Sequence, residues 1–139
     1  MKKLDSLIRL RQWQLDEKRR KVAELERLAS RFRLEIEQLD EALKAEQDTV
    51  SRSGAAITGY GNYASTVLSR REKMQSSLAG IENEMVQAVE EVAAAFQEYK
   101  KVDLIRARQL RTAELRNKRK QQSAMDEAGL NLYRRASNT

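Results

Sequence analysis

Residues 4–50 read LDSLIRLRQWQLDEKRRKVAELERLASRFRLEIEQLDEALKAEQDTV, and every seventh position from Ile8 is apolar: Ile8, Leu15, Val22, Ala29, Ile36, Leu43 and Val50. A second line, Leu4, Leu25, Phe32 and Leu39, completes the alternating three/four spacing of heptad a and d positions, with Arg11, Lys18 and Glu46 interrupting it. This spacing turns one narrow apolar stripe toward a partner helix along the whole segment. It predicts a helix over residues 4–50.

Working outward, the pattern stops between Ser51 and Thr66, where Gly54, Gly59 and Gly61 stand beside Ser51, Ser53, Asn62 and Ser65. Glycine tolerates positive φ and short polar side chains compete for backbone groups, so the chain can reverse there. Beyond it the three/four spacing resumes with Met74, Leu78, Ile81, Met85, Ala88, Val92, Ala95, Tyr99 and Val102, and Val89 and Phe96 are expected to widen the stripe. After Val102 the phase drifts: Arg106 and Gln109 fall on the seam, and Met125, Ala128 and Leu132 restart it weakly. Gly129 is a candidate terminator, and the second helix is expected over residues 67–135. The fold class that follows is all-α: one domain over residues 1–139, two long antiparallel helices forming a coiled-coil hairpin, with a turn over residues 51–66.

The arms are unequal. At 1.5 Å rise per residue the first helix is about 70 Å long and the second about 100 Å, so the second should overhang by ~20 residues. The overhang is expected to begin near residue 112, where the apolar stripe thins.

Composition agrees with long helices. The 139 residues include no Pro, 5 Gly, 35% charged and 5% aromatic side chains, and mean hydropathy is −0.75. Helix formers dominate and breakers are scarce. There is no His and no Cys, which removes disulfides and most general bases, nucleophiles and metal ligands. Gly59-Tyr60-Gly61 lacks the flanking strand and Lys of a phosphate loop. The expectation is therefore a non-enzyme with no catalytic residue, no cofactor and no metal. Met-Lys-Lys at the start leads straight into Arg9, Arg11 and Asp16 with no apolar run of a signal peptide. No apolar run approaches the ~20 residues of a membrane span, so no direct insertion is expected.

Charge is uneven along the chain. Residues 1–33 carry 11 basic and 5 acidic side chains, residues 34–99 carry 5 and 12, and residues 100–139 carry 11 and 4. In a hairpin the first and third stretches share an end, so that end is expected to be basic and the turn end acidic. A solvated face is one reading of any single cluster, such as Lys18-Arg19-Arg20-Lys21. Two clusters brought together from opposite ends of the sequence point instead to an acidic or acceptor-lined partner. Nucleic acid is disfavoured, because Trp13 and Tyr133 stand alone and no stacking aromatics interleave with the basic residues. Tyr60 and Tyr63, in the turn, either close the end of the seam or act as contacts at the tip. Trp13 falls off the seam and is a candidate docking residue.

The stretch Arg119-Lys120-Gln121-Gln122-Ser123-Ala124-Met125-Asp126-Glu127 resembles the Arg-Lys-acidic-Gln-x-x-aliphatic-Asp-Glu run near the end of the FliJ family, small coiled-coil proteins of flagellar export. The opening Leu4, Leu7, Ile8, Leu10 followed by Gln14-Leu15-Asp16-Glu17-Lys18-Arg19 is similar to that family's start. So is a Tyr- and Gly-bearing break near residue 60 followed by Leu68-Ser69-Arg70-Arg71. Gln121 stands where an acidic residue is usual, and Ser123 where a basic one is frequent.

The resemblance implies a protein like the central stalk of rotary ATPases, whose terminal end enters a hexameric export ATPase and helps activate it. It further implies contact with the export gate at the inner membrane, return of empty substrate chaperones, and a cytoplasmic location held peripherally at that membrane by protein partners. Carried onto this sequence, ring contacts fall to Arg119, Lys120, Gln122, Met125, Asp126 and Glu127. Arg9, Arg11, Arg19 and Arg20 join them on charge alone, and Tyr60 and Tyr63 are assigned to the gate-facing turn. A monomer is expected. The alternatives are the equivalent stalk of a virulence secretion system, and a homo-oligomeric coiled-coil scaffold with no ATPase partner.

Overall fold

The computed structural model describes residues 2–53 and 60–138. Two helices, α1 (Lys2–Ser53, 52 residues) and α2 (Tyr60–Ser137, 78 residues), account for them. They pack against each other as a helical hairpin, with no strand among the described residues. Both form because helix formers run unbroken by Pro. Asp5 in the first turn of α1, and Arg52, Arg134 and Arg135 in the last turns, complement the helix dipoles. Early residues of α1 meet late residues of α2, so the helices are antiparallel: Asp5 faces Arg106, Lys18 faces Glu91 and Arg33 faces Glu82.

The chain divides into two compact units, residues 13–96 on the one hand and residues 1–12 with 97–139 on the other. In the first, Leu25, Ala29, Ile81 and Ala88 form the buried core, with Val22, Phe32, Leu78 and Met85 against it. In the second, Ile8 and Val102 are buried. Burying a Leu or Ile in such a seam stabilises by roughly 1.5–3 kcal/mol, so stability accumulates from many thin layers.

Every seam position inferred for α1 is buried or half-buried, including the interruptions Arg11, Lys18 and Glu46. Three cations on the seam send their heads to a carboxylate of the opposite helix while their stems stay inside. Lys18 Nζ donates to Glu91 Oε2 at 3.1 Å, and Arg106 Nε lies 3.3 Å from Asp5 Oδ1. Arg71 Nε lies 2.6 Å from Asp40 Oδ1, but its N–H is not aimed at the oxygen, so the contact is an ion pair without a hydrogen bond.

Several expectations change. Val89 and Phe96 do not widen the seam; they are 53% and 39% exposed, because Ala88 and Ala95, one position earlier, already face α1. Of the expected break, Gly54 and Gly59 lie outside the described residues, and Gly61, Asn62, Tyr63 and Ser65 are helical. Gly61 meets nothing within 4 Å where a side chain would stand, and it is no obstacle to the helix. The seam of α2 begins at Tyr60 and continues through Ala64, Val67 and Arg71 in the same three/four phase, none of them exposed. Gly129 does not end α2, which runs on to Ser137.

Candidate functional site

In the unit of residues 1–12 and 97–139, the seam ends where α1 begins. Leu4, Ile8, Tyr99 and Val102 are buried or half-buried, and the Asp5–Arg106 ion pair stands at the last paired turn. Every described residue from Ala107 to Asn138 is exposed. The unpartnered stretch thus begins about five residues earlier than the sequence lengths suggested. It holds eight basic and three acidic side chains, and the whole unit holds fifteen and six.

Arg119, Lys120, Gln122, Met125, Asp126 and Glu127 all lie on this bare helix, Met125 at 75% exposure. Their spacing divides them. Arg119, Gln122 and Asp126, at intervals of three and four, share one face, whereas Lys120 and Glu127, seven apart, share another. The Arg119 face also carries Leu115 and Tyr133, 50% and 72% exposed. Sequence reasoning passed over that pair because it followed the phase of the seam, which ends at Arg106. The signal was present in the four-residue step from Leu115 to Arg119 and the seven-residue step from Asp126 to Tyr133. The arrangement offers an apolar-flanked face that carries one cation and one carboxylate, on a stretch that is net positive, suited to the polar groups of a protein groove.

Of the remaining candidates, Arg9 is exposed and Arg11 half-buried in the same unit. Arg19 and Arg20 belong to the unit of residues 13–96, where each faces a carboxylate on its own helix: Arg20 Nη1 sits 2.8 Å from Glu17 and Arg19 Nη1 3.9 Å from Asp16. Trp13 is 61% exposed. Tyr60 is half-buried in seam phase, while Tyr63, three residues on, is exposed. In the same unit, the hydrogen bond from Lys18, and then its charge, hold the Glu91 carboxyl below its ordinary value of 4.5. Among the described residues no His, Cys, Asp or Glu groups are placed to hold a metal, and no helix is long and apolar enough to cross a membrane.

The family model described as the flagellar FliJ protein matches residues 1–138. No curated protein and no solved structure matches the chain.

Proposed function

The chain belongs to the FliJ family, coiled-coil components of flagellar-type protein export, and from that membership we propose that it is a stalk-like activator of the export machine's hexameric ATPase. In this reading the helix beyond Arg106 enters the ring, and Arg119, Lys120, Gln122, Met125, Asp126 and Glu127 make the contacts. The single observation that carries it is the run of 32 exposed residues from Ala107 to Asn138, basic and without a helix against it. A helix that long without a packed face draws little stability from propensity alone, and Leu115, Met125, Leu132 and Tyr133 stand bare on it. A groove that covers it would supply both what the helix and what the apolar side chains lack. The flagellar family favours flagellar export over its virulence counterpart.

The gate-facing role belongs to the α2 start, supported by the exposed Tyr63. Return of empty chaperones, and a peripheral position at the inner membrane, follow from the same machine. Because the seam is satisfied within one chain, light scattering should return the monomer mass of 16.0 kDa.

The decisive experiment reverses charge at the overhang. An Arg119→Glu/Lys120→Glu variant should bind the purified hexameric ATPase more weakly and lose its stimulation while keeping wild-type helicity by circular dichroism. Full stimulation by that variant rejects ring contact through this helix.

A further inference from the structure

In the unit of residues 13–96 several layers of the seam set a charge against an apolar side chain. The ion pairs Asp40–Arg71 and Lys18–Glu91 fix the register. Leu39 therefore stands opposite Arg71, Lys18 opposite Val92 and, one heptad beyond Leu39, Glu46 opposite Ala64. Arg71 keeps a buried Nε without a hydrogen bond. Glu46 is half-buried, and among the described residues it has no hydrogen bond or ion pair. Taking a polar group out of water without full compensation is unfavourable, so neither residue is well satisfied where it stands.

Moving α2 by one heptad toward the turn, about 10.5 Å, sets Arg71 opposite Glu46. Between Val22 and Val50 every other layer then stays apolar, as in Phe32 against Met85, Ile36 against Ile81 and Leu43 against Met74. A heptad step also keeps each helix presenting the same face. The opposite step has no such merit, because it sets Arg71 against Phe32. What holds the present register is what the slide gives up: Asp5–Arg106, Lys18–Glu91, Arg33–Glu82 and Asp40–Arg71, all partly exposed pairs of modest worth. In the unit of residues 1–12 and 97–139 the slide would also bring Arg106 opposite Arg11, a like-charge layer. At the start of α2, Tyr60–Tyr63 would leave the helix. Gly61 and Asn62 suit non-helical backbone, and Gly61 touches nothing where a side chain would stand.

We propose that the hairpin has two registers one heptad apart, the present one and a minor one in which Glu46 and Arg71 pair across the seam. Packed interfaces switch between discrete arrangements, and register shifts of helices take microseconds to milliseconds. In the minor register Gln109 and Ala113 come opposite Ile8 and Leu4, so the bare helix shortens by one heptad. A partner that favours one register would thereby set the length of that helix. Only this last consequence touches the ATPase reading; the slide itself stands without it.

The chain has no Cys, so paired substitutions can report the register by disulfide closure, which needs Cα atoms within about 7 Å. Ile36→Cys/Met74→Cys reports the present register and Ile36→Cys/Ile81→Cys the minor one. Ile36→Cys/Val67→Cys reports the opposite slide and is the control for general opening. Dilute full-length protein is oxidised in a glutathione buffer, and closure within one chain is read on a non-reducing gel after circular dichroism has confirmed helicity. The first pair should close fastest, the second more slowly and the third least. Arg106→Glu turns the Arg11 clash into a pair and sets a like charge beside Asp5. It should speed the second pair about two- to fivefold, the range of an exposed ion pair. Glu46→Lys should slow it by a similar factor, and Glu46→Lys/Arg71→Glu should restore it. The proposal is overturned if the second pair closes no faster than the third, or if its rate ignores all three charge variants.

Discussion

Ala29 is fully buried and Ala88 is 2% exposed; both sit in the core cluster of the unit of residues 13–96. Small side chains on both helices let the backbones approach closely, so the site has no room for growth. Ala29→Leu should cost about 1–3 kcal/mol by overpacking, read as a lower urea midpoint with unchanged slope; a neutral result would show that the seam can open locally. Lys18 and Glu91 give a pH signature. A carboxyl held below its ordinary value stabilises the fold above its unfolded value, and that contribution disappears as pH falls through the folded value. Glu91→Gln should thus lower the thermal midpoint at neutral pH and make progressively less difference below about pH 4.5, the ordinary value of the carboxyl. A difference that persists undiminished in acid would mean that the Lys18 contact is not its source. Lys18, like Arg11 and Glu46, was legible as a charged place in the heptad. Their partners were not, because pairing across the hairpin depends on register, which spacing within one helix does not fix.

At the scale of the element, α1 was almost wholly legible, since seven-residue recurrence from Ile8 to Val50 leaves no other helical solution. The start of α2 was less so. Tyr60, Ala64 and Val67 keep the phase, but Arg71 at a seam position and Gly61 beside Asn62 disguise it as loop. Of the candidate site, the overhang was visible as a length difference between the helices. The exposed line of Leu115 and Tyr133 beside Arg119 was not, because those two residues follow a phase of their own. Within α2 the paired and bare segments should differ in dynamics. Amide hydrogen exchange should find strong protection at seam residues such as Ile81, Ala88 and Val102, and rapid exchange from Ala107 onward, where opening breaks no side-chain packing. Uniform protection along α2 would mean that the bare segment is covered in solution.

For the whole molecule, net charge is +6, yet residues 1–12 and 97–139 carry a surplus of nine positive charges and residues 13–96 a surplus of three negative ones. Long-range attraction by the basic unit should steer encounter with an acidic partner. Stopped-flow association with the proposed ATPase partner should slow steeply between 0.01 M and 1 M salt, as the Debye length shrinks from about 30 Å to about 3 Å, with dissociation changing less. A salt-independent rate would assign recognition to the apolar side chains instead. The unbroken three/four phase of the seam also constrains how this chain can change in length. Removing one residue rotates everything downstream by about 100°, swinging the stripe out of the interface. Removing seven restores the phase to within about 20°, provided that the facing helix loses its matching seven. Arm length is thus quantised in heptads that must be gained or lost in pairs, whereas the stretch after Arg106, bound by no such bookkeeping, can lengthen or shorten one residue at a time.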